Sequence, residues 1–539
     1  MSEAIDIEGL RERARELGLV GRELLTVDLI NTTPALVGGW RNGSVVDPER
    51  LIIEPPRPTD IAGKIRWWLR SIIAAGVYEE HGKHLPIHAL DRLAAKVMGS
   101  AAGRRGWASK VVIAVRPEPI RVPNTCAWAG AKEPENKEKA AKALEECRES
   151  EDPRDCFTAA LLSPRIKLST MEEDNSVEKF SKTPLPPGYY RFKLIVRKRP
   201  GTELSEAEEK VLGLATGMAL FFTGIGRGVT RGYGKLAPAS DEWGTEDSAL
   251  AEWARLVWRK LGHCSGLRDI AKEAAEAGQE YVRELLTKDP GKVLRIINTE
   301  ARKAPQCPHY PLAYTLHPEF IEERSIPLRA VGIKTITPHE IFMPCCGDPW
   351  CVVAAINYAV LKTNIKNQVL GKEFKGTGIG IPSYLLGLPR RVYKHRRDSN
   401  KELRMISSIM FTPIYIARKI DKSCKFTPQS LQILGFRSVF MCATEIRDIK
   451  YTCMNAAKRN KCENAIRSVC GDACVNNNYY GKIIEKIASL AFHGAQYGGY
   501  VSDAVDEYNE FFESSGGVCR QIASIGRLMD VIRRLLHCP

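Results

Sequence analysis

"FFTGIGRGVTRGYGKL", residues 221–236, is the stretch on which the reading of this chain turns. It holds five glycines, three basic residues and one tyrosine in sixteen positions. Upstream, "LSEAEEKVLGLATGMALFFTG" (204–224) has helical periodicity and opens on a capping box of Ser205 and Glu208. Downstream, "YGKLAPA" (233–239) reads as a strand. A dinucleotide fingerprint needs the opposite order, strand then helix, and a third glycine where Val229 stands. A Walker A loop needs Ser or Thr after its Gly-Lys, and Leu236 stands there. No nucleotide cofactor fits either pattern. What remains is a backbone surface for a polyanion: glycines lack Cβ, so peptide N–H groups can approach phosphate oxygens. Arg227, Arg231 and Lys235 supply charge-assisted contacts, and Tyr233 a ring for stacking. Gly224, Gly226, Arg227, Gly228, Arg231, Gly232, Tyr233 and Lys235 are therefore candidate RNA-binding positions; the alternative is a mobile turn with incidental arginines.

On either side of this segment the chain keeps a regular pattern. "ELLTVDLINTTPALVGG" (23–39) alternates as a strand, and "RPTDIAGKIRWWLRSIIAAG" (57–76) is a helix with Thr59 or Asp60 as its N-cap. Two more strands follow at 108–117 and 188–200. The order strand, helix, strand, strand, helix, strand is that of a ferredoxin-like, RRM-like (βαββαβ) domain. The fold class is α+β. The first domain spans 22–240, with a charged, helix-rich insertion at about 125–185. Helices at 246–261 and 266–287 form a linker region over 241–300. In 301–539 the segment 374–419 repeats the theme of glycines, basic residues and a strand, a weak internal duplication that predicts a second such domain, ending in a Cys-rich helical tail.

On the 57–76 helix Ile61, Ile65, Trp68 and Ile72 form one apolar stripe and are core candidates. Arg66 and Arg70 share another face, with Lys64 and Trp67 beside it, and Gly63 removes a side chain where a backbone could approach. Lys64, Arg66, Trp67 and Arg70 are thus further candidates for a ribose-phosphate chain; the alternative buries both tryptophans and leaves the arginines solvated. A basic run at 390–397 adds Arg390, Arg391, Arg396 and Arg397, which otherwise belong to a solvated loop. "GRRGWASK" (103–110) is a weaker candidate of the same kind.

The 539-residue chain has 44% hydrophobic and 27% charged residues and a net charge of +15. That length predicts more than one domain, and that excess of cations favours nucleic acid over other partners. No apolar run reaches membrane-spanning length, and the N-terminus is too charged for a signal peptide, so no membrane partner and a cytoplasmic location are expected. Sixteen cysteines avoid CxxC spacing, which favours structural disulfides, of the kind thermophilic archaea keep inside the cell, over a metal site. His81, His84 and His88 lie close in sequence, but Gly82 and Pro86 break any shared helix face. No metal, no cofactor and no catalytic pair is expected.

"TTPALVGG", "EPPRPTDIAGKIRWWLRSI", "VMGSAAGRRGWASKVVI" and "GIGRGVTRGYGKL", in this order, resemble the RAMP superfamily of CRISPR-associated proteins, and within it the family of the first RAMP subunit of the type III-B Cmr effector complex. "LGLPRRVYKHRRDS" (386–399) is similar to a second signature of that superfamily. The resemblance covers about half the chain; the 125–185 insertion and the Cys-rich tail depart from it. It implies a non-catalytic, antiviral RNA-binding subunit at the end of a filament of RAMP subunits. Such a subunit would lie near the 3′ end of a CRISPR RNA and help to capture target RNA. The alternatives are a metal-independent CRISPR RNA endonuclease of the same superfamily, with a histidine as base, and a basic scaffold for an acidic protein.

Overall fold

The computed structural model describes residues 21–37, 52–100, 108–118, 190–240, 248–262, 266–303, 314–334, 349–359, 409–420 and 423–436. It also describes the short strands at 45–47, 342–344, 388–395, 402–405 and 449–451 and a few positions between these segments. The insertion at 125–184 and the tail beyond 451 lie outside the described residues, and with them nine of the sixteen cysteines for which structural disulfides are expected.

Strand β1 (Glu23–Asn31) buries Leu25, Val27 and Leu29 while Thr26 and Asp28 stay half-buried, as its alternation requires. A short antiparallel pair, β2 (Val45–Asp47) and β3 (Ile52–Ile53), precedes helix α1 (Pro58–His81). That helix starts on Pro58, after an extended Arg57 and with no side-chain cap, so the expected cap at Thr59 or Asp60 is corrected. Proline already holds a helical φ and has no N–H to satisfy, so it begins the helix without help. Ile61, Ile65, Trp68 and Ile72 are 2% exposed or less. The sharp end is Gly82, left-handed at φ 60°.

Helix α2 (Ile87–Met98), β4 (Val111–Pro117), β5 (Arg191–Lys198), α3 (Glu206–Gly217) and β6 (Leu236–Pro238) follow. The capping box is present: Ser205 Oγ accepts from the Glu208 N–H, and Glu208 Oε2 accepts from the Ser205 N–H at 3.0 Å. The sheet runs β4-β5-β1-β6, antiparallel throughout. One face carries the core shared with α1 and α3. The other carries Arg191 and Arg197, ion-paired to Asp28 and Glu23, with Lys193 3.5 Å from Glu118.

Helices α4 (Ala249–Leu261), α5 (Gly266–Lys288) and α6 (Pro290–Lys303) extend the helical layer. Where α1 crosses α5, Gly76 and Gly278 bring the backbones into direct contact, and a Cβ on either would strike the other helix. Beyond them, β7 (Ile321–Pro327) leads to the antiparallel pair β8 (Gly332–Lys334) and β9 (Phe342–Pro344), then α7 (Pro349–Ala359). The basic run, for which a solvated loop is the alternative reading, is partly a strand, β10 (Leu388–His395), because Val392 and Tyr393 suit an extended chain that pairs with β11 (Glu402–Met405) and β14 (Ile449–Tyr451). A long hairpin, β12 (Ile409–Ile420) and β13 (Ser423–Phe436), completes a second antiparallel sheet in the order β12-β13-β7.

Candidate nucleic-acid interface

Helix α3 widens at its end into a π-helical turn, Met218–Thr223. Such a turn leaves its last carbonyls without partners inside the helix, and here lysines supply them. Lys235 Nζ donates to the carbonyl oxygens of Phe222 (2.6 Å) and Thr223 (3.0 Å) and to Thr412 Oγ1 (3.1 Å). Lys64 Nζ donates to the Gly224 carbonyl at 2.5 Å. Burial pushes Lys64 down to about 8, against the opposing pull of the Asp60 carboxylate. The same cause, reinforced by nearby Lys64, holds Lys235 well below the ordinary lysine range. Trp68 secures the turn by donating Nε1–H to Thr223 Oγ1 at 2.7 Å.

The end of β1 holds the glycine loop. Thr32 N–H donates to the Lys235 carbonyl (2.8 Å), and Thr33 Oγ1 accepts from the Lys235 N–H (2.9 Å). Pro34 and Leu36 carbonyls accept from Gly234 N–H (2.8 Å) and Arg227 N–H (2.7 Å). Across the loop, Ile225 N–H donates to the Gly234 carbonyl at 2.8 Å. This closure requires glycine twice: Gly224 and Gly234 lie at φ 77° and 60°. A Cβ on either would meet a carbonyl oxygen of the opposite limb. The far side of the loop meets the second sheet, where Phe411 N–H donates to the Thr230 carbonyl at 3.0 Å and Gly232 lies under Ile356 and Pro413.

The sixteen sequence-derived positions divide accordingly. Arg227 and Gly228 are exposed, and Lys64, Gly226 and Arg231 half-buried. No backbone acceptor among the described residues takes the N–H of Gly228 or Val229. Gly224 and Gly232 are buried frame. Tyr233 is 0% exposed, its hydroxyl unpartnered and its ionisation driven upward by burial, so it offers no ring face for stacking. Lys235, 1% exposed, holds the π turn instead of meeting phosphate. Arg66 Nη2 donates to the Met98 (2.8 Å) and Gly99 (3.2 Å) carbonyls and so caps α2. Arg70 pairs with Asp91 at 2.7 Å.

Trp67 stands edge-on to Trp68, Tyr314 and Phe436, with centroids 4.6, 5.1 and 6.0 Å away, and packs α1 against the second sheet in place of a base. Arg390 and Arg391 lie in β10, and Arg396 and Arg397 lie outside the described residues. What sequence reasoning missed is the frame: Asn31, Thr33, Thr223 and Thr412. "NTTP" after a strand was its only local signal, since Thr412 comes from far along the chain.

His81, His84 and His88 do not converge on a shared ligand position. His84 stacks on Tyr78 with centroids 5.0 Å apart, and burial lowers its pKa. Beside it His317 Nε2 meets Glu79 at 2.8 Å, while its Nδ1 accepts from the Glu319 N–H. Among the described residues no group of three His, Cys, Asp or Glu side chains could hold a metal, and no helix is long and apolar enough to cross a membrane.

Residues 57–237, from the start of α1 through the glycine loop to β6, match the family model of the RAMP superfamily. Most of the chain aligns with chains of solved Cmr structures. One is a chain of the Cmr-beta complex bound to cognate target RNA and AMPPnP in the presence of ssDNA; there 87% of this chain aligns with 99% of that one at 14% identity and a TM-score of 0.47. A second Cmr-beta chain, bound to cognate target RNA, aligns over 83% and 99% of the two chains at 14% identity and a TM-score of 0.41. Apo Cmr1 from Pyrococcus furiosus aligns over 76% and 87% at 16% identity and a TM-score of 0.33. No curated protein matches the chain.

Proposed function

We propose that this chain is a non-catalytic RNA-binding subunit of a type III-B CRISPR ribonucleoprotein effector. It holds the 3′ region of a CRISPR RNA or captures target RNA, beside other RAMP subunits and without a nucleotide cofactor. In this reading 22–240 and 301–539 are two ferredoxin-like domains joined by the helices of 241–300. The observation that carries it is the RAMP match ending on a glycine loop whose tip, Arg227 and Gly228, stands in solvent on a braced frame. A cation beside free peptide N–H groups grips phosphate without reading a base and offers no group to attack it.

The test is the full chain with labelled single-stranded RNA. Retention of intact RNA is expected, and Arg227→Ala lowers the slope of log affinity against log salt by about 0.7 without changing stability. Cleavage of the RNA, abolished by His84→Ala, would replace this reading with the endonuclease.

A further inference from the structure

We infer that the free edge of β4 is a docking site for an extended, acid-bearing segment of another protein, which joins the first sheet as a fifth strand. The inference goes beyond the RNA-binding reading and does not rest on it.

Among the described residues β4 pairs with β5 alone and ends the sheet on that side. The Lys110 carbonyl accepts from the Arg199 N–H (2.7 Å), and the Glu118 N–H donates to the Arg191 carbonyl (3.3 Å). The even-numbered residues of β4 therefore exchange backbone hydrogen bonds with β5, and the odd-numbered ones turn theirs to the edge. At one end Ser109 closes that row: its Oγ accepts from the Val111 N–H (3.2 Å) and donates to the Val111 carbonyl (2.8 Å). At the other end Pro117 has no N–H to offer. Between them, the N–H and C=O groups of Ile113 and Val115 have no partner among the described residues. The slot is short and closed at both ends.

Exposed sheet edges are commonly blunted by lysine, proline, a bulge or brevity. At the opposite edge β6 is three residues long and ends on Pro238. β4 instead runs seven residues in unbroken register, and Val111 to Val115 carry no charge. Val112, on its outer face, is 41% exposed, and Ile113 and Val115, on the helix side, are only half-buried against the core. Apolar side chains on both faces of an open amide row suit an added strand. An RNA phosphate would meet carbonyls there as often as N–H groups.

Arg116 sets the charge of the occupant. It is exposed on the face of Val112 and meets no carboxylate among the described residues, whereas Lys193 and Arg197 on that face meet Glu118 and Glu23. An antiparallel strand bonded to Ile113 and Val115 places one residue directly across from Arg116. That pair shares no backbone bonds, so its side chains approach closely, and a carboxylate completes it. A second copy of β4, paired about Ala114, would set Val112 against Arg116 and leave both guanidinium groups unmatched.

The experiment titrates the full chain into a fluorescently labelled peptide, Thr-Glu-Val-Thr-Val-Thr, and follows anisotropy. Saturable binding is expected, weaker by about three- to tenfold when lysine replaces the glutamate, with the preference reversed by Arg116→Glu. N-methylation of both peptide valines, which removes the donors to Ile113 and Val115, should abolish binding without touching the protein. Val115→Pro should do the same from the protein side, since that N–H holds nothing in the fold, and leave the salt slope of RNA binding unaltered. Equal binding of the N-methylated peptide, or no binding of any peptide, overturns the inference. So does a dimer of the unmodified chain that Val115→Pro dissolves, which would assign the edge to a second copy. Displacement of the peptide by single-stranded RNA would give the edge to RNA, overturning the inference while the functional reading stands.

Discussion

Lys235 and Lys64 both serve the π turn, and their burial decides what each does with its charge. Lys235 is wholly enclosed and satisfies carbonyls of Phe222 and Thr223 that the turn leaves open. Lys235→Ala removes those donors and is expected to cost about 2–4 kcal/mol, read as a lower urea midpoint at constant slope. A variant as stable as the original would mean that the π turn does not depend on its lysine. Lys64 reaches Gly224 from a half-buried position and gives up its proton near pH 8. Between that pH and the ordinary lysine range the unfolded chain binds more protons than the folded one, so Lys64 makes stability rise with pH across the window. Below it the proton is held in both states and the burial penalty on Lys64 is present in full. Denaturation midpoints at about pH 7.5 and 9.5 should therefore diverge between the native chain and Lys64→Met. Parallel curves would show that Lys64 stays charged throughout.

Among the elements, the glycine loop is a braced turn with a free tip. Gly224→Ala and Gly234→Ala force a Cβ against the opposite carbonyl at positive φ. Each is expected to lose about 1–3 kcal/mol and to lower RNA affinity by loosening the tip, which calorimetry and binding on the same samples would check. Gly63 is the counter-case: it lies in α1, and an alanine methyl there would have nothing within 4 Å of it. Gly63→Ala should gain about 0.5–1 kcal/mol of stability. If RNA passes along this side of α1, the same methyl lowers affinity while the melting temperature rises.

The whole molecule is held together at the back of that loop. Trp67 meets Tyr314 and Phe436, Thr412 meets Lys235 and Phe222, and Phe411 meets Thr230, so the second sheet grips the helix and turn that carry the tip. Phe436 is fully buried and stacks on Tyr314 with centroids 4.6 Å apart. Phe436→Ala is expected to cost about 3–5 kcal/mol and to weaken RNA retention with an unaltered salt slope, since no cation is lost. A reduced slope would mean instead that the cations themselves had moved.

Local pattern was enough for much of this. The alternation in β1, the apolar stripe of α1 and the Ser205–Glu208 capping box were legible because each depends on neighbours within one turn or one strand. So was the element order around the glycine loop, helix before it and strand after it. The site was legible only in outline. Arg227 and Gly228 reach solvent as their composition suggested, yet Tyr233 and Lys235, from the same sixteen residues, are sealed inside. Arg66 and Arg70 share the helix face that periodicity assigned to them, with Trp67 beside it, and α2, Asp91, Tyr314 and Phe436 occupy that side. Elements, glycine positions and the excess of positive charge can be read from the order of residues alone, because they follow from backbone sterics and composition. Which cations face water and which serve as internal donors is settled by the folded chain, because that depends on carbonyls and rings brought together from other elements, some of them hundreds of residues away.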